Sequence, residues 1–207
     1  MMTTPDLLLF IAALVTAYLL PGPDMALILS VSAFQGRRSG LMVAVGLALS
    51  RALHVSLAAI GLAALLKTHP LLFDIVRWIG ASYLCWLAWK ILRSTDTAPT
   101  NPIAAEEAGL RAMRRGFLTN MLNPKALMFC ALLLPQFVSP IGALFEQYLM
   151  LGTILVGVGA LFDIFYVLAS SGISRRFSGS RSARKLAQRV FASVFALAAI
   201  RLAIGNR

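Results

Sequence analysis

Apolar residues in this chain fall into six long runs, at 7–34, 40–66, 71–92, 117–137, 147–171 and 190–205, separated by short polar gaps. A helix needs about 20 apolar residues to cross a bilayer. The first five runs meet that length. The last is shorter and carries Arg201, but Val190 to Ile204 is otherwise apolar. The pattern predicts an all-α polytopic membrane protein with six transmembrane helices. The longest polar stretch, Ser94 to Gly109, contains Pro99, Asn101 and Pro102 and reads as a mobile cytoplasmic linker. It divides the chain into a first three-helix unit at 1–93, a linker at 94–116 and a second three-helix unit at 117–207.

The first run is interrupted by Pro21-Gly22-Pro23-Asp24. Each proline removes a backbone donor, and glycine loosens the chain. In hydrocarbon, a broken helix is tolerated only where protein or a polar cavity receives the freed carbonyls. Asp24, just after the break, adds a carboxylate that costs a few kcal/mol at mid-depth. Broken, charged helices of this kind mark transport sites.

The two halves resemble each other. Gly22-Pro23-Asp24-Met25-Ala26-Leu27 in the first run aligns with Asn123-Pro124-Lys125-Ala126-Leu127-Met128 in the fourth. In both, a flexible or turn-prone residue precedes proline, a charge and an apolar run. Helices 1 and 4 are therefore expected to break at proline. With three spans per half, the second half enters the membrane from the opposite side, an inverted repeat. Asp24 and Lys125 carry opposite signs at matching positions. They could pair with each other, or Lys125 could hold a substrate carboxylate and Asp24 its ammonium.

A second charged set lies deep in runs two and five. Arg51 and His54 are three apart, as are Asp163 and Tyr166, so each pair shares a helix face. All four should face the interior, with Asp163 the natural partner of Arg51. Asp163, Asp24 and His54 are the candidates to carry a coupling proton. For His54 a packed core histidine is the simpler alternative. His69, beside Pro70, reads as a solvated loop residue.

Composition agrees with the membrane reading: of 207 residues, 59% are hydrophobic and 13% charged. The net charge of +11 could suggest nucleic acid, but the charges sit in short gaps without an aromatic stacking platform. They are clustered: Arg37 and Arg38, then Lys90 to Arg115, then Arg175 to Arg189, with few basic residues in the alternate loops. The positive-inside rule then places the basic loops in the cytoplasm and both termini outside. The start of the chain lacks a basic signal region, so the first helix is expected to be uncleaved. Cys85 and Cys130 lie in apolar runs and read as buried small hydrophobes. Clustered acids and bases, a metal-ligand set and a phosphate loop are all missing from the sequence, which argues against an enzyme and against an ATP-driven pump. A channel would repeat one polar helix face around an oligomer, and a scaffold would need no prolines beside a buried acid.

Gly40, Ala44, Gly46 and Ala48 in run two, and Gly152, Gly157 and Gly159 in run five, allow close helix approach. These small-residue faces fit packing within one chain or a homodimer equally well. Trp89, Lys90 and Arg93 read as an interfacial anchor.

Several of these segments together resemble the LysE/RhtB family of amino-acid exporters. They are Leu20-Pro21-Gly22-Pro23, Gly61-Leu62-Ala63-Ala64-Leu65, Gly80-Ala81-Ser82-Tyr83-Leu84 with Trp89, and Arg114 through Lys125 ending in Asn123-Pro124-Lys125. They fall in order over nearly the whole chain. The resemblance implies an exporter of amino acids or related small zwitterions in the bacterial inner membrane, run by proton antiport without a cofactor. Arg51 departs from the expected pattern and disfavours a cationic cargo unless Asp163 pairs with it.

Overall fold

The structure is a computed structural model that describes residues 4–61, 70–93, 102–138 and 143–177, together with scattered positions between 185 and 200. Among the described residues it contains helices and no strand. The elements are α1 (Thr4–Leu19), α2 (Pro23–Gln35), α3 (Arg37–Ala59), α4 (Pro70–Arg93), α5 (Pro102–Met121), α6 (Pro124–Met128) and α7 (Leu144–Phe177). A π turn (Phe129–Leu133) and a 3-10 turn (Leu134–Phe137) follow α6.

Among the described residues two helices are long and apolar enough to cross a membrane, α3 and the Leu144–Ser170 part of α7. These residues make up to four spans if each of two bent pairs counts as one. The first bent pair is α1 with α2, at 55°. The second joins Gly109–Met121 to Lys125–Phe137, at 58°. Both breaks fall where the prolines predict them. Gly22 and Asn123 are each extended, the conformation a following proline favours, and each is the N-cap of a helix that proline begins. Asn123 completes its cap by accepting a hydrogen bond from the Lys125 backbone N–H at 3.1 Å. Downstream, Pro135 has no N–H to return to Ala131, and the Leu134 N–H reaches Phe129 instead, which makes the π turn.

Part of the expected linker is taken up by α5. Residues 102–116, read as part of the linker, are helical. Pro102 suits a first helical position, and α5 packs along α3. The two helices touch backbone to backbone. A Cβ added to Gly46 would lie 2.0 Å from the Met113 carbonyl oxygen, and one added to Gly116 would lie 2.3 Å from that of Val43. Only glycine fits either position, and that approach seats α5 against α3.

Residues 71–92, the third expected span, fall within α4, where the Arg93 guanidinium covers the Trp89 ring at 4.6 Å. Of the sixth, 190–205, only scattered helical positions are described. Ala192 and Ala199 are buried on one face, while Val190, Leu197 and Ile200 are exposed. His69 lies outside the described residues. Cys130 is buried, but Cys85 is exposed, contrary to expectation. It points away from the core on α4.

The polarity of α3 is inside out. Leu41, Val45, Leu49 and Leu53 form an exposed stripe at a spacing of four, whereas Arg51 and His54 are buried at 3% and 1% exposure. A bilayer is the solvent in which that arrangement is stable. Two apolar clusters make the interior. One centres on Leu27, Val31, Val43 and Leu47, the other on Phe10, Leu14, Leu134 and Leu151.

Candidate functional site

The broken ends of both bent pairs open on one cavity of about 70 Å³. That is room for a handful of water-sized groups. Its lining includes Gly22, Asp24, Arg51, His54, Asn123, Lys125, Asp163 and Tyr166, all expected from the sequence. Pro21 and Pro23 are not among the lining residues and act through the backbone. Pro124 is the first residue of α6.

Arg51 and Asp163 form a bidentate ion pair. The Arg51 Nη1 donates to Asp163 Oδ2 at 2.5 Å and its Nη2 to Oδ1 at 3.1 Å, with both side chains buried. The guanidinium also lies over the Tyr18 ring at 5.0 Å. Gly159 makes the space for it: a Cβ there would come within 2.7 Å of both Arg51 Nη1 and the Tyr18 hydroxyl. Of the other small residues on α7, Gly152 meets Val55, but Gly157 has nothing within 4 Å and plays no part in helix approach.

Asp24 and Lys125 line the same cavity, but the ion pair expected as one alternative does not form. Asp24 instead accepts from two side-chain amides across the break, Asn120 Nδ2 at 2.6 Å and Asn123 Nδ2 at 3.1 Å. Lys125 donates to backbone, from Nζ to the carbonyls of Ala17 at 2.5 Å and Leu20 at 3.2 Å. The reason lies in α1. A helical carbonyl expects an N–H four residues on. For Ala17 that residue is Pro21, which has none. The next carbonyl, that of Tyr18, accepts from the Tyr166 hydroxyl at 2.8 Å. Groups from the second half of the chain thus satisfy the carbonyls that the break leaves free.

His54 is buried on the cavity wall. Its nitrogens have no hydrogen-bond partner among the described residues, although the Met121 backbone lies near. Asn120 Oδ1 is likewise buried and unpartnered. Such groups are costly unless something in the cavity meets them.

Sequence reasoning missed Asn120, Tyr18 and the Ala17 and Leu20 carbonyls. A signal for Asn120 was present, because it is a second amide, three residues before Asn123, at the edge of the break. Tyr18 carries no such signal; its hydroxyl donates to the Leu155 carbonyl at 3.0 Å, a contact only the fold creates.

Residues 15–206 match the family of LysE type translocators. The chain belongs to that family. Its members are transporters, not enzymes. A homoserine/homoserine lactone efflux protein of Salmonella typhimurium is 30% identical over 93% of this chain and 94% of its own length. A leucine efflux protein of Klebsiella pneumoniae is 30% identical over 95% and 93%. An uncharacterized membrane protein of Vibrio cholerae is 31% identical over 92% and 94%. No solved structure matches the chain.

Proposed function

We propose that this protein exports amino acids or related small zwitterions from the cytoplasm of a bacterium, across the inner membrane, in exchange for protons. The observation that carries the reading is the meeting of two proline breaks at one cavity that holds an acid, a lysine and a buried Arg–Asp pair. Efflux by the named relatives of Salmonella and Klebsiella supports export as the direction. The exported molecule is small and carries both charges, in keeping with a site that offers both signs.

In this reading the halves 1–93 and 117–207 are inverted repeats of three spans each. The matching caps at Gly22-Pro23 and Asn123-Pro124 and the similar bends of 55° and 58° support it. Both termini lie outside, with the basic loops in the cytoplasm. Alternating access moves one half against the other around the cavity. Asp24, His54 and Asp163 are the groups available to carry the proton. The small-residue faces leave a homodimer open as the working assembly.

The test is loss of amino acids from preloaded cells that overproduce the chain, with and without a proton uncoupler. Accelerated, uncoupler-sensitive loss of one or two species supports the reading. Unchanged loss of amino acids and of related metabolites contradicts it.

A further inference from the structure

The carbonyl end of α1 is an acceptor site made by sequence. Pro21 and Pro23 cannot donate to the carbonyls of Ala17 and Leu19, their normal partners in a continuous helix. The C-terminal end of a 16-residue helix also concentrates negative partial charge. In this structure a primary ammonium group occupies the place: Lys125 Nζ, on the Ala17 and Leu20 carbonyls. Lys125 is not locked there by packing, because the residue is exposed overall. Ala17, Leu20, Gly22 and Lys125 all line the cavity, with Asp24. A ligand in the cavity can therefore reach the same carbonyls.

We infer that the carbonyl end of α1 is a subsite for the primary ammonium group of the ligand, and that Lys125 is its built-in occupant. This inference rests on the export reading and assigns its site. The ligand's ammonium displaces the chemically equivalent ammonium of Lys125, so hydrogen bonds lost by one are regained by the other. Lys125, released, receives the ligand's carboxylate across the cavity. The exchange gains net interaction only when the ligand carries both groups. A simple amine leaves Lys125 without a partner. A simple carboxylate finds Lys125 engaged. A quaternary ammonium cannot donate a hydrogen bond and cannot replace Lys125 at all. The arrangement selects primary amino zwitterions over either half alone, whatever the side chain.

The experiment is an NMR titration of the purified full chain in lipid nanodiscs with propylamine, propionate and trimethylpropylammonium. The Lys125→Met variant removes the competing occupant. If Lys125 fills the subsite nine-tenths of the time, propylamine binds about tenfold more tightly to the variant than to the unaltered chain. Propionate and trimethylpropylammonium gain nothing. Equal or weaker propylamine binding by a folded Lys125→Met protein overturns the inference. A second variant approaches from the other side and keeps the test alive if the first does not fold. Pro21→Ala returns an N–H to the Ala17 carbonyl, and L-leucine and propylamine binding should both fall. Unchanged binding by Pro21→Ala overturns the inference equally. Export by cells is scored separately: its absence alongside the predicted amine binding defeats the export reading and leaves the subsite standing.

Discussion

Arg51 and Asp163, 112 positions apart in sequence, meet as a buried two-bonded ion pair that ties α3 to α7. Both side chains are buried, so each depends on the other. Removing one partner from a buried pair costs about 3–5 kcal/mol, because the other charge is left uncompensated. Arg51→Met and Asp163→Asn should each lower the thermal unfolding midpoint in detergent and the yield of folded protein. The double variant Arg51→Met with Asp163→Leu should recover much of the loss. Single variants as stable as the unaltered chain would mean that the pair is not a structural tie.

Gly159 and Gly157 lie two residues apart and should respond oppositely to alanine. At Gly159 the new methyl group meets the guanidinium and the Tyr18 ring; at Gly157 it meets nothing within 4 Å. Gly159→Ala should destabilise by about 1–3 kcal/mol, the usual cost of overpacking, and should reduce export. Gly157→Ala should do neither. Unfolding midpoints and efflux rates of the two variants, measured side by side, check this.

Asn120 holds one oxygen of Asp24 and presents its own amide oxygen, buried and unpartnered. Asn120→Leu removes both roles, while Asn123 still donates to Asp24 and caps α6. Efflux should fall at unchanged membrane abundance. Asn120→Asp, which places a second carboxylate against Asp24, should do worse than Asn120→Leu, because like charges at this distance repel strongly in a partly dry site. Equal efflux by both variants and the parent would remove Asn120 from the site.

Much of this could be read along the chain, and the exceptions have definite causes. The breaks were legible because proline is a local signal: it removes an N–H wherever it stands. The pairing of Arg51 with Asp163 was legible because two opposite charges, deep in apolar runs, have few other ways to be satisfied. The fate of Asp24 and Lys125 was not. Charge alone predicts that they attract, but each found closer partners in groups that sequence patterns do not advertise, the amides of Asn120 and Asn123 and the freed carbonyls of α1. The helix at 102–116 was missed for a related reason. Its composition is polar enough for a connector, and the backbone approach of Gly46 to Met113 that seats it on α3 is visible only in three dimensions. Cys85 shows a third limit: in a bilayer protein an apolar run does not say which face is turned to lipid.

The central claim is that the cavity between the two breaks is where the exported molecule binds. Its most direct test is efflux from preloaded cells carrying Asp24→Asn or Lys125→Met, with membrane abundance matched by immunoblot. Both single variants should lose export and keep their place in the membrane. Normal export by both, at equal abundance, would contradict the assignment of the site.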